Sequence, residues 1–474
     1  MVTLKFDRGT LVLAGLRRSE PPAGFPDGLW AWDQRLPAWR CEAIHYSRAL
    51  PILKRSFADR LADEVPAPHR VAWPDVKLPP LRPEQIEALS AWRAAGRRAQ
   101  VIMPTGTGKT EVALAAMAET AVATLVVAPV RDLMYQWHRR VLRGLGYDAG
   151  IVGDSLHNIR TVTVTTYDSA YIHAAELGAR FGLLVFDEEH HLPGPLRREA
   201  ALFSTAAMRL GLTATPERSD GLHRDLDWLV GPVAFRQEIA QAAGRTLADY
   251  HVVRVPVALT AAEQVRYDDA SRVVRSFIAE RREDYGDYTW QDLCAESGKD
   301  PAARKAQRAY YVKKAIEDRA EEKLRILEDI FRLHAAEKTI VFAGSNAMAL
   351  DVSRRFLIPT LLAHSRKKER LAVLEGFARA RFPAIVANQV LDEGVDIPAA
   401  KVGVVIGGQA STRQAKQRLG RILRRTGDAL ATLYEVVCED TRDVERSRQR
   451  RRSDAYKGPG RMKRGMGPRL FGAS

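Results

Sequence analysis

Pro104-Thr105-Gly106-Thr107-Gly108-Lys109-Thr110, reading PTGTGKT, is the stretch on which the reading of this chain turns. An apolar run, AQVIM over 99–103, precedes it, and a helix-like stretch over 111–119 follows. Strand, Gly-rich turn and helix N-terminus in that order make a phosphate loop, because the first turn of a helix leaves backbone N–H groups without intrahelical partners. Gly106 and Gly108 let the backbone close around an anion, Lys109 is long enough to reach the β and γ phosphates, and the Thr110 hydroxyl suits Mg²⁺. Met103 stands where the generic pattern has a glycine. The stretch predicts a nucleoside triphosphate site inside an α/β domain.

Working outward, short apolar runs alternate with helix-length segments: 124–129, 161–165, 183–186 and 210–213. Runs that are apolar on both faces predict a parallel sheet covered by helices, here over 76–235. The run ending at Phe186 delivers Asp187-Glu188-Glu189-His190 to the carboxyl end of a strand, 78 residues past Lys109, where open α/β sheets bind ligands. Asp187 is placed to hold Mg²⁺ and Glu188 to orient or deprotonate the attacking water. Ahead of the loop, LRPEQIEALSAW over 81–92 predicts an amphipathic helix with Ile86, Leu89 and Trp92 inward. Gln85 is placed to read an adenine edge, since its amide donates and accepts in one plane, with Arg82 beside it.

The pattern changes over 236–330, where a strand-like run at 251–259 leads into charged, helix-like sequence; a solvated helical hairpin is the default reading. Alternating α/β sequence resumes over 331–440, with strand-like runs at 339–342, 384–388, 402–406 and 431–437. This second sheet has no phosphate loop of its own. It carries Gln417-Arg418-Leu419-Gly420-Arg421-Ile422-Leu423-Arg424, which puts Arg421 and Arg424 on one helix face, suited to act as arginine fingers on a triphosphate in the facing domain.

At the other end, residues 1–75 open with an alternating stretch over 2–6 that suits an edge strand, followed by tryptophans interleaved with Arg35 and Arg40. Two readings stand: aromatics that stack bases, or a small α+β domain burying its tryptophans. The formal charge is +15, and 441–474 holds 11 Lys or Arg against 3 Asp or Glu, so over half of the excess lies in a basic tail expected to be disordered. Such a balance favours polyanion partners, nucleic acid first. Three scattered cysteines argue against a disulfide framework or a four-Cys metal site and fit a cytoplasmic setting. Neither a signal peptide nor a membrane span is expected.

The ordered set resembles the superfamily 2 helicases, and within them the XPB-type DNA translocases of archaea and bacteria. Motif I is 104–110, and motif Ia resembles 128–137 (APVRDLMYQW). Motif Ib resembles 165–167, motif II is 187–190 in the DExH form, and motif III is 212–215. Motif IV resembles 340–345, motif V Gly394-Val395-Asp396, and motif VI 417–424. The family's Arg-Glu-Asp triplet matches Arg218-Ser219-Asp220, with Ser219 in place of the acid. Residues 32–35 and 40–46 resemble the small damage-recognition domain that precedes the motor, and the charged insert sits where the family carries its thumb.

The resemblance implies two RecA-like parallel-sheet domains in tandem, a small N-terminal α+β domain and a helical insert. It implies ATP and Mg²⁺ held by Lys109, Thr110 and Asp187, with Glu188 acting on water and Arg421 and Arg424 completing the site. His190, Thr213, Thr215 and Gln417 would couple nucleotide to domain closure, while Gly394 and Asp396 would approach the ribose. DNA would run along Arg131, Thr166 and Tyr167, mostly through phosphates. The expected activity is ATP-driven 3′–5′ DNA unwinding or translocation by a monomer, in DNA repair, with a nuclease as the possible partner. A nucleotide-switched clamp that opens duplex for such a nuclease, and an RNA helicase, stand as alternatives.

Overall fold

The computed structural model describes residues 1–218, 220–243, 245–362, 365–388, 400–408 and 430–451, so Ser219, Gly394, Asp396, Gln417, Arg421 and Arg424 lie outside the described residues. The chain divides into two compact units, Met1–Glu238 and Ile239–Ser474.

The first unit begins with a five-stranded sheet in the order Ala31–Asp33, Ala38–Glu42, Thr10–Ala14, Val2–Asp7, Leu61–Asp63. Val2–Asp7, expected at an edge, is interior. After the helix Tyr46–Phe57 the chain returns to add Leu61–Asp63 in parallel, a partner too short and too distant in sequence to be read beforehand. Trp30 and Trp39 are buried with Leu4, Leu11, Leu13 and Leu53, and Trp39 Nε1 donates to Arg17 O at 3.2 Å. Arg40 is occupied by Asp7, Asp33 and Thr10. Of the two readings of this segment, the buried core therefore accounts for Trp30, Trp39 and Arg40. The small domain docks on its neighbour: Ile44 joins a cluster with Phe181, Leu184 and Phe186, and His45 stacks on Trp228 with ring centroids 5.9 Å apart.

The second sheet of this unit runs Val233–Arg236, Arg98–Ile102, Met208–Thr213, Leu183–Asp187, Thr124–Ala128, Val162–Thr166, Gly150–Gly153, Leu156–Asn158. All neighbours are parallel except the last pair. Every residue of Thr124–Ala128, Val162–Thr166 and Leu183–Asp187 is buried, as expected of strands covered on both faces. The helix Pro83–Ala94 packs against this sheet through Gln85, Ala88, Leu89 and Trp92, whereas Ile86 is half exposed. Leu89 and Trp92 point inward as expected, and Ile86 does not, because positions 85, 88, 89 and 92 form one helical face and Gln85 takes the inward place at its start.

In the second unit six parallel strands run Tyr250–Val257, Ala431–Cys438, Val402–Val405, Thr339–Phe342, Ala384–Ala387, Thr360–Leu361. The insert folds as the helices Ala261–Tyr285, Trp290–Glu296 and Pro301–Arg319. Thr260 and Glu263 box the first start, Asp300 accepts from Ala302 N at the third, and Phe277, Tyr288, Leu293, Ala303 and Ala306 form a small core. One expectation is corrected: the start of the basic tail is ordered. Arg442–Arg450 is a helix whose Asp443, Ser447 and Arg450 are buried, because Asp443 meets Lys323 at 2.7 Å and Arg450 meets Glu435 at 2.7 Å. Composition over the whole tail hid these two ion-paired tail residues, Asp443 and Arg450, in its overall basic balance.

Candidate nucleotide site

Three neighbouring strands, Arg98–Ile102, Met208–Thr213 and Leu183–Asp187, end side by side and set out the site. Met103 N donates to Thr213 O at 3.0 Å, carrying the register one residue past the first strand into the loop. Met103 is buried in the core, and its carbonyl accepts from Lys109 Nζ at 3.2 Å, so the side chain in the place of the generic glycine faces inward while its backbone serves the loop. Thr107 is fully buried, donating its hydroxyl to Pro104 O at 2.7 Å; Gly106 is exposed, and Thr105 and Thr110 are half-buried. Gly106 and Gly108 both have positive φ, +88° and +81°. Gly108 is the N-cap of the helix Lys109–Thr120, so the loop opens onto a helix N-terminus, where N–H groups and the helix dipole favour an anion.

Gln85, expected at an adenine edge, holds the loop in this structure. Its Nε2 donates to Thr107 O at 3.0 Å and to Gly108 O at 3.2 Å, and its Oε1 accepts from Arg82 N at 2.9 Å. Arg82 donates its guanidinium to Thr107 O as well and pairs with Glu84 at 3.1 Å. A Cβ at Gly108 would run into Gln85 Nε2 and come within 3.0 Å of Arg82 Nη2, so close backbone approach as well as positive φ requires glycine there.

Asp187 is buried at the end of its strand, with Oδ2 accepting from Trp137 Nε1 at 2.8 Å. Burial, and then the negative charge of Glu188, push its carboxyl up to about 6, against the Trp137 hydrogen bond and the Lys109 ammonium. Glu188 has φ +48°, a left-handed turn that points its side chain away from the strand line, and its Oε2 accepts from Thr213 Oγ1 at 3.3 Å. His190 is fully buried, with Nδ1 3.2 Å from Thr213 Oγ1 and 3.6 Å from Glu188 Oε2. Thr215 N donates to Thr213 Oγ1 at 3.1 Å. Thr213 therefore links the acidic turn to the segment after its own strand. Glu189 is fully buried with neither carboxyl oxygen hydrogen-bonded, and burial pushes its carboxyl well up.

The residues expected on nucleic acid separate. Tyr167 is fully buried, stacked near Phe186, with its hydroxyl donated to Asp187 O at 3.0 Å; it is a wall of the nucleotide site, which corrects its assignment to DNA. Thr166 is almost fully buried and caps the helix Tyr167–Ile172, accepting from Ser169 N at 3.2 Å, so its hydroxyl is committed too. Arg131 is exposed at the start of the helix Arg131–Leu145 and pairs with Asp154, which also accepts from Tyr135 OH at 2.9 Å. Two residues with site contacts carried no assigned role in the sequence reading. Trp137 lies within the segment matched to motif Ia, and Arg218 donates to His190 O at 2.6 Å while gripping Asp220. A Trp on a helix beside a buried strand end reads as core until its Nε1 is seen to need an acceptor.

The chain's similarities agree with this layout. Residues 4–61 match the Xeroderma pigmentosum group B helicase damage recognition domain, 78–218 the Type III restriction enzyme, res subunit, and 307–456 the ERCC3/RAD25/XPB C-terminal helicase. The DNA 3'-5' translocase XPB2 of Sulfurisphaera tokodaii is 40% identical over 374 residues, covering 78% of this chain and 84% of that protein. The DNA 3'-5' helicase XPB of Kineococcus radiotolerans is 31% identical, covering 80% of this chain and 63% of its own length, and that of Mycobacterium tuberculosis is 29% identical, covering 80% and 64%. The chain thus spans under two thirds of these bacterial relatives. In fold it is similar to S. cerevisiae Dbp5 bound to RNA and ADP BeF3, with a TM-score of 0.53 at 15% identity over 80% of this chain and 88% of that one. With the phosphate loop, the DExH turn and XPB-specific sequence at both ends, the chain belongs to the XPB family of superfamily 2 DNA helicases.

Proposed function

We propose that this XPB-type helicase couples ATP hydrolysis to 3′–5′ movement along DNA and to the opening of duplex. The observation that carries the reading is the convergence of Lys109, Asp187, Glu188 and Thr213 at the ends of three adjacent strands. The loop N–H groups and Lys109 bind the triphosphate, and Glu188, steadied by Thr213, orients and deprotonates the attacking water. The donor set fits a magnesium–triphosphate, since the Lys109 ammonium is near enough to Asp187 to draw its carboxyl down and the partly exposed Thr110 follows Lys109 in the first turn of the helix that the loop opens onto. Thr110 and Asp187 would hold Mg²⁺, which when bound neutralises charge on the phosphates.

DNA is the polyanion this basic chain serves, with Arg131 among its exposed phosphate contacts. Cutting of the opened DNA is assigned, in this reading, to a separate nuclease partner. The test is ATP hydrolysis by the full chain with single-stranded, duplex and forked DNA beside an RNA control. DNA stimulation that Lys109→Ala abolishes is expected. Equal rates with and without DNA, or stronger stimulation by RNA, would overturn the reading.

A further inference from the structure

At the far edge of the first unit's large sheet three metal-ligating side chains meet. His157 is the middle residue of the edge strand Leu156–Asn158, opposite Val152. His173 is the single residue between the helices Tyr167–Ile172 and Ala174–Leu177, and Glu176 follows it by three, so both project from one helical turn. His157 Nε2 lies 3.1 Å from Glu176 Oε2, the two imidazole centroids are 4.7 Å apart, and one donor atom from each of the three falls within 4.8 Å of the others. Glu176 Oε1 faces Arg180 Nη2 at 3.6 Å, leaving Oε2 as the oxygen turned to the imidazoles.

From this cluster we propose a divalent transition-metal site, Zn²⁺ first, ligated by His157, His173 and Glu176 with its fourth position on water. Two imidazoles and one carboxylate are a donor set that zinc takes when one position stays open. Zinc bonds of about 2.0–2.1 Å in a tetrahedron set donors roughly 3.4 Å apart, so the His157–Glu176 pair is already close enough and the third donor closes by rotation of a partly exposed side chain. Ligands from two segments make the ion a fastener. It ties the edge hairpin, whose turn carries the Asp154 that grips Arg131 and Tyr135, to the helical segment that Thr166 caps. By bridging two segments the ion would stiffen the sheet edge beside the exposed Arg131.

The experiment is Zn²⁺ binding to the metal-free full chain, by competition with a chromophoric chelator, for the wild type and for His157→Gln/His173→Gln. One tight equivalent is expected in the wild type, weakened at least about 100-fold in the double variant. The metal-free melting temperatures should be the same, since the altered side chains are not core residues. X-ray absorption on the zinc-loaded wild type, which needs no variant, should show two imidazole nitrogens and carboxylate or water oxygen, without sulfur. Equal affinity in the two proteins, or a zinc environment lacking imidazole, would overturn the proposal; so would a wild type that binds no tight equivalent, leaving the trio a hydrogen-bonded surface cluster.

Discussion

The indole Nε1 of Trp137 donates a 2.8 Å hydrogen bond to Oδ2 of Asp187, binding the helix Arg131–Leu145 to the carboxylate at the end of the neighbouring strand. Burial and the charge of Glu188 push that carboxyl up to about 6, while the indole and Lys109 pull it down. With a raised value, Asp187 carries a proton below about pH 6 and loses it as pH rises, so hydrolysis supported by Mg²⁺ should fall on the acid side of that value. Trp137→Phe removes one of the groups favouring the charged form, so the acid limb of kcat/KM should move to higher pH, with little change well above it. A pH–rate profile on both proteins checks this, and a limb that stays put or moves to lower pH would count against the role given to Asp187.

Gln85 donates twice to the phosphate loop, to Thr107 O and Gly108 O. If its amide serves the loop and not the base, Gln85→Ala should lower kcat/KM with ATP and with GTP by the same factor, about tenfold for the loss of two buried hydrogen bonds near 1 kcal/mol each with partial replacement by water. A drop confined to ATP would show that the amide reads adenine. Gly108→Ala should be worse, since positive φ costs a further ~1–2 kcal/mol and the new methyl meets Gln85 directly. Combining it with Gln85→Ala relieves the clash with the amide and leaves the backbone cost and the close approach to Arg82.

The parts of this fold that were legible in the sequence are those with strong local signals. The strands Thr124–Ala128 and Leu183–Asp187 are buried along their whole length and read as continuous apolar runs, and the loop from Pro104 to Thr110 is written in glycines. What escaped depends on contacts distant in sequence. The strand Gly150–Gly153 and the edge strand Leu156–Asn158 are short, the first bounded by glycines and the second partly polar, so neither period nor propensity marked them. Gln85 read as an amide for an adenine edge and Ile86 as core, and only the demand of the loop backbone puts Gln85 inside and leaves Ile86 exposed. Tyr167 stood inside a nucleic-acid motif by resemblance, yet its hydroxyl is turned to Asp187 O from beneath. Trp137 and Arg218 could have been found by asking which buried donor satisfies Asp187 and which cation follows the Thr213 strand.

Thr213 Oγ1 donates to Glu188 Oε2 at 3.3 Å, accepts from Thr215 N at 3.1 Å, and lies 3.2 Å from His190 Nδ1. One hydroxyl thus fixes the carboxylate proposed to act on water. Thr213→Val keeps the shape and removes the hydroxyl, so kcat should fall by about 10- to 100-fold with a smaller change in KM for ATP, while Thr213→Ser restores most of it. Glu188→Gln should cost about 10²- to 10⁴-fold, the range for a general base. Steady-state ATPase on the four proteins decides the point. If Val is tolerated as well as Ser, the hydroxyl does not position Glu188.

The strongest constraint on the second unit is the buried pair Lys323–Asp443, with Nζ 2.7 Å from Oδ2 and also donating to Ile406 O at 3.1 Å. Arg450 stands 3.8 Å from the other Asp443 oxygen and 2.7 Å from Glu435, so four buried charges join the helix Arg442–Arg450 to the strand Ala431–Cys438 and the helix Glu321–Leu333. Burial pushes the Asp443 carboxyl up, but Lys323, then Arg450 and Cys438 N, outweigh it and hold it below the usual range. Burial pushes Lys323 down, and Asp443 outweighs it and raises it. A depressed carboxylate stabilises above its unfolded value and loses that stabilisation as pH falls through the folded one. A raised lysine stabilises below its unfolded value and loses it as pH rises through the folded one, so the pair contributes fully across neutral pH. Asp443→Asn strands the buried ammonium and should cost about 3–5 kcal/mol, whereas Asp443→Asn with Lys323→Met should cost clearly less than the sum of the singles. Amide exchange at pH 7 in Ala431–Cys438 and Arg442–Arg450 reports this locally without requiring the whole chain to unfold in one step. The same reasoning divides the basic tail. Removing residues after Arg451 should leave exchange in Ala431–Cys438 unchanged, while removing those after Asp440 should speed it as strongly as Asp443→Asn does. Equal protection in both truncations would mean that the helix rests on the sheet without bracing it.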